Sequence, residues 1–104
     1  MKYYLEEERF KSSFPEYFRE WVKPPMNFYY KFDNECTLIF YCDFINKNGS
    51  YSCKALVELY DSNINLINKI SVDMSEKNIN SGDALYKFLR DWVQESLQEM
   101  NKEG

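Results

Sequence analysis

The chain has 104 residues, enough for one domain with one core, and it carries a formal net charge of −4 with a pI near 4.8. It contains no histidine, which removes the commonest general acid–base and metal ligand, together with every Ser-His-Asp or Cys-His nucleophile. The acidic balance repels nucleic-acid phosphate, and three cysteines without a CxxC spacing suit neither a disulfide framework nor a zinc site. Residues 1–12 read as an arm: Tyr3-Tyr4-Leu5 suits a short strand, and Glu6 to Lys11 suits one helical turn or two. Ser13-Phe14-Pro15-Glu16 has the form of a capping box. It predicts a helix from Phe14 to Val22 with Tyr17, Phe18, Trp21 and Val22 as its apolar stripe, stopped by Pro24-Pro25.

From Asn27 to Asp33 the residues alternate, with Phe28, Tyr30 and Phe32 on one side and Tyr29 and Lys31 on the other. This is the first strand, and Asp33-Asn34-Glu35 is its turn, with Asn34 suited to the left-handed conformation. The segment from Cys36 to Leu59 then holds two alternating runs about Asn48-Gly49, a strong hairpin signal. A two-residue loop there pairs Phe44 with Cys53, Cys42 with Ala55, Phe40 with Val57 and Leu38 with Leu59, all apolar. It also sets Asp43 opposite Lys54 on the far face, and a slip of one residue would lose both agreements. In this register Cys42 and Cys53 are diagonal neighbours, so no disulfide is expected, and Cys36, Cys42 and Cys53 read as small buried hydrophobes.

Asp61-Ser62-Asn63 forms the next turn. The fourth strand follows with Ile64, Leu66, Ile70 and Val72 on the inner side, and Asn68 interrupts that row, read as a position near the sheet edge with a buried polar hook as the alternative. Met74 to Asn80 reads as a polar connector. Asn80 or Ser81 caps a long amphipathic helix whose stripe is Leu85, Phe88, Leu89, Trp92, Val93, Leu97 and Met100, with residues 101–104 fraying. The expected architecture is a single α+β domain over residues 1–104. It is a two-layer sandwich in which a four-stranded antiparallel meander is packed by an N-terminal short helix and a long C-terminal helix.

The second sheet face is too apolar for an ordinary solvent face. It gathers Tyr29, Ile39, Tyr41, Ile45, Leu56, Tyr60 and Ile67 among polar residues that include Asp43 and Glu58, with Leu56 expected near Ile67. Either the N-terminal segment or the helix over 14–22 covers this face as a second small core, or a partner or second copy of the chain does. The candidate partner-binding residues are Tyr29, Ile39, Tyr41, Asp43, Leu56, Glu58, Tyr60 and Ile67, with the acidic residues of the last helix as a second possibility.

No Gly-rich phosphate loop, metal cluster or nucleophile–base spacing is present, so neither an enzyme nor a cofactor is expected. Glu6-Glu7-Glu8 stands where a secretory signal would be apolar, and no apolar run is long enough to span a bilayer. A cytoplasmic protein without membrane or nucleic-acid partners is therefore expected. Small size, acidic balance, a Tyr-rich sheet and the lack of a catalytic kit point to a protein-binding module. In that profile the chain resembles bacterial toxin-immunity proteins. The resemblance implies a protein partner, a cognate toxin of basic nuclease type, neutralised by surface complementarity. A phage-encoded inhibitor of a host defence enzyme and a secretion-type chaperone, the latter normally dimeric, share the profile.

Overall fold

Alternation along the hairpin produces a long paired ladder. In the computed structural model, which describes residues 5–13, 26–32, 35–47 and 50–103, β1 is Met26–Lys31, β2 is Thr37–Lys47, β3 is Ser50–Tyr60 and β4 is Leu66–Asp73. Among the described residues the strands are flanked by α1 (Glu7–Ser13) and α2 (Gly82–Glu103). The strands form one antiparallel sheet in the order β1-β2-β3-β4, an α+β meander. The β2–β3 register is the expected one throughout: Leu38 faces Leu59, Phe40 faces Val57, Cys42 faces Ala55, Phe44 faces Cys53, and Asp43 faces Lys54. The loop at 48–49, the helix expected over 14–22 and the turn residues 33–34 lie outside the described residues, as do the side chains of Phe44, Ile45 and Tyr51.

Period-two alternation sends Leu38, Phe40, Cys42, Cys53, Ala55, Val57 and Leu59 to one face, where they are buried against the apolar stripe of α2. On that helix Leu85, Leu89, Trp92, Val93 and Leu97 are buried, and so is Tyr86 beside the expected stripe. Ser81 is the cap: its Oγ accepts the Ala84 N–H at 3.1 Å and its carbonyl accepts the Leu85 N–H at 3.0 Å. The helix runs through Glu103 instead of fraying at Asn101. Lys102 in the last turn complements the helix dipole and bonds Glu99 one turn back at 3.4 Å.

The arm contains α1 over the stretch that suits one helical turn or two, a helix too short to be stable alone. Glu7 and Glu8 suit its positive N-terminal end, and Phe10 anchors it, fully buried with ring centroids 5.1 Å from Tyr30 and 5.5 Å from both Phe32 and Tyr86. Arg90 fastens the outside of this contact, reaching Glu7 at 3.2 Å while lying 5.9 Å over the Tyr86 ring. Thus α1 packs on the same sheet face as α2 and does not cover the opposite face. The 74–80 connector is not merely polar. Met74 and Ile79 are buried, the Met74 N–H extends the ladder to the Cys53 carbonyl at 2.9 Å, and Asn78 takes the left-handed turn at φ 57°.

The start of β4 also differs. Pairing is regular from Lys54–Asp73 to Leu59–Asn68, then shifts so that Tyr60 pairs with Leu66 and Ile67 becomes the extra residue of a bulge. The strand therefore begins at Leu66, not Ile64, and Ile64 sits in the turn at φ 64°, 81% exposed. Asn68 faces α2: its side-chain amide donates to Ser96 Oγ at 3.0 Å, and Ser96 Oγ donates to the Trp92 carbonyl at 2.8 Å. The edge position expected for Asn68 and a polar hook to the helix are both present.

Candidate functional site: the open sheet face

Strand register builds the outer face as transverse rows. One row runs Tyr29, Ile39, Glu58, Lys69; the next runs Asn27, Tyr41, Leu56, Ser71; a third runs Asp43, Lys54, Asp73. The Tyr29–Ile39 and Tyr41–Leu56 pairs thus lie in neighbouring rows and form a diagonal apolar strip across β1, β2 and β3. Tyr29 is 72% exposed, Tyr41 54% and Leu56 40%, while Ile39 is half-buried. Large side chains held open on a paired sheet are costly to hydrate and cheap to dock, because the backbone beneath them is already ordered.

Charge surrounds the strip without favouring one sign. Asp43, Glu58 and Asp73 project with Lys31, Lys54 and Lys69, and register opposes Asp43 to Lys54 and Glu58 to Lys69. The Tyr60 hydroxyl donates to Glu58 Oε2 at 2.9 Å; that bond, with the carboxylate charge, raises the phenol pKa above its ordinary value. The pair orients Glu58 at the border of the strip. At the β1–β2 turn, Lys31 bonds Glu35 at 2.6 Å, and Glu35 takes the left-handed conformation at φ 69°. The Lys31–Glu35 bond raises the ammonium pKa.

Of the eight residues predicted for this site, the rows bring together Tyr29, Ile39, Tyr41, Asp43, Leu56, Glu58 and Tyr60. Ile67 is the correction. The bulge turns it off the outer face, it packs against the core, and Leu56 stands opposite Ser71 instead. Sequence reasoning also missed the exposed Ile64 and Leu66 and the groove beside them, formed with Ile67, Trp92 and Glu95. The available signals were the break in alternation at Ile67-Asn68 and a serine, Ser96, inside the apolar stripe of the last helix.

The thiols are free and buried. Burial pushes Cys36 up to about 11 and Cys42 up to about 12, and raises Cys53 as well, so all three are protonated at neutral pH. Cys42 Sγ lies 3.7 Å from Met74 Sδ, a soft contact within the core. Among the described residues no group of three or more His, Cys, Asp or Glu is placed to hold a metal ion, and no helix is long and apolar enough to cross a membrane. No protein-family model, curated protein or solved structure matches the chain.

Proposed function

We propose that this chain is a protein-binding module whose open sheet face docks a protein partner, and that it acts in the cytoplasm as an immunity protein against a basic, nuclease-type bacterial toxin. The observation that carries this reading is the solvent-exposed Tyr29–Tyr41–Leu56 strip across the paired strands β1, β2 and β3. Tyrosines supply large contact area at low entropic cost, and the polar rows beside the strip suit the rim of an interface. The net charge of −4 favours encounter with a basic partner. Because cations and anions alternate on the strip's borders, docking there is anchored by the aromatic and apolar groups. Long-range steering falls to carboxylates elsewhere on the molecule. Neutralisation by such a face needs no chemical step: covering the toxin's active site or its docking surface is sufficient.

The test is capture from the native host with the tagged protein, followed by expression of the captured partner in a test strain. The expected partner is basic and arrests growth when expressed alone. Co-expression of this chain relieves the arrest, and the Tyr29→Ala/Tyr41→Ala variant, folded by circular dichroism, neither retains the partner nor relieves it. A captured partner without toxicity, or retention unaffected by the double substitution, refutes the reading.

A further inference from the structure

We infer that the groove between the start of β4 and the C-terminal half of α2 is a second recognition site, which takes a basic residue flanked by apolar side chains from a protein partner. The groove encloses about 500 Å³, within the range of sites that hold small ligands or single side chains. Its apolar wall is Leu66, Ile67 and Trp92, and its carboxylates are Asp61, Glu95 and Glu99. Among the described residues that line it there is no lysine or arginine. Of the helix carboxylates, Glu95 and Glu99 line the groove and Asp61 joins them from the turn, whereas the open face mixes both signs.

The carboxylates stand in a fixed arrangement. Asp61 Oδ1 accepts the N–H groups of Asn63 and Asn65 at 2.8 and 2.9 Å, which holds the carboxyl below its ordinary range and locks it at the turn. Glu95 and Glu99 are one turn apart on the same helix face, a like-charge spacing that weakens a helix unless a cation relieves it. Glu99 has Lys102 at 3.4 Å, but both side chains are more than 70% exposed, and such a pair is readily exchanged for a better one. The wall between the two elements is pinned by the Asn68–Ser96 bond. Exposed Ile64 and Leu66 continue the apolar surface outward from the turn. An apolar wall facing three carboxylates complements the stem and head of an arginine or lysine together with an aliphatic neighbour. It repels phosphate and anionic lipid surfaces.

This inference rests on the partner-binding reading only in expecting a basic protein, and a peptide probe separates the two. Protein labelled with 15N is titrated with the acetylated, amidated tripeptide Leu-Arg-Leu. The same titration is run with the analogue in which citrulline replaces arginine, and with Ser-Arg-Ser. The expected result is a saturable shift of the Trp92 indole and Asn68 side-chain resonances, with the Tyr29 and Tyr41 amides unmoved. Both analogues bind about tenfold more weakly, and so does the folded Glu95→Gln/Glu99→Gln variant with the first peptide. The Tyr29→Ala/Tyr41→Ala variant, which tests the open face, binds Leu-Arg-Leu unchanged. No saturable shift, equal binding of the citrulline peptide, or shifts confined to the open face would overturn the inference. Peptide binding without any toxin from the host would leave the groove standing and remove the antidote role.

Discussion

Phe10 shows how much a single side chain can organise. It belongs to a helix of two turns, yet it is fully buried among Tyr30, Phe32 and Tyr86 and joins the first helix to an edge strand and to the last helix. Replacing it with alanine removes the ring from all three contacts, and a buried Phe→Ala change costs about 3–5 kcal/mol. A domain of this size has a total stability of about 5–15 kcal/mol. Phe10→Ala is therefore expected to lower the urea midpoint sharply; a near-unchanged midpoint would show that α1 contributes little. The thiols give a second residue-level expectation. Their pKa values in the folded state are raised above the ordinary 9.0. Above that pH the unfolded chain loses thiol protons that the native state keeps, so the native state binds more protons and stability falls as pH rises toward about 11 to 12. Below pH 9 the contribution is fully present and flat. Cys42→Val should reduce the alkaline slope of the unfolding free energy by up to one proton. Iodoacetamide at neutral pH should label the three cysteines only after unfolding.

At the scale of elements, some parts of the fold were readable in the chain and others were not, for physical reasons. The β2–β3 register was readable because side chains alternate with period two: one register makes every inner pair apolar and sets Asp43 against Lys54, and a slip destroys both. The long helix was readable because its stripe repeats from Leu85 to Met100, about four turns. Helix α1 was readable only as a turn or two beside a possible short strand, since seven residues with one apolar anchor carry no period, and its stability comes from Tyr86 and Arg90 far along the chain. The β4 bulge was readable only in part: alternation breaks at Ile67-Asn68, but Asn68 finds its partner at Ser96, 28 residues later. That distant partner can be tested by a double-mutant cycle with Asn68→Ala and Ser96→Ala. A coupling of about 0.5–1.5 kcal/mol in denaturation free energy is expected if the bond fastens β4 to the helix. Additivity within error would assign the bulge to the turn alone.

For the whole molecule the decisive question is what each face of the sheet meets. Excess apolar residues on the outer face were visible from the sequence. Whether the chain's own N-terminal segment covered them was not, because α1 has no pattern that selects a face. Phe10 places α1 beside α2, and Tyr29 and Tyr41 remain largely exposed. Their exposure separates stability from binding. Removing two exposed rings from an already paired sheet takes little from the folded state, since surface substitutions away from caps and networks stay within about 0.5 kcal/mol each. Tyr29→Ala/Tyr41→Ala should therefore unfold within a few degrees of the parent while losing partner affinity. A large drop in melting temperature would show instead that these rings are core. Tyr60 is the poorer choice for this test, because its bond to Glu58 at 2.9 Å makes its removal a change of charge environment as well as of area. Salt separates the two surfaces further. The strip binds through area and aromatic contact, which ionic strength leaves nearly intact, whereas the carboxylates about the groove act at a range that salt shortens to about 8 Å under physiological conditions. Raising salt should then slow association with a basic partner and weaken the Leu-Arg-Leu peptide, while the dissociation rate of a partner anchored on Tyr29 and Tyr41 changes little. A dissociation rate that climbs with salt in step with the slowed association would mean that charge, and not the tyrosine strip, holds the complex together.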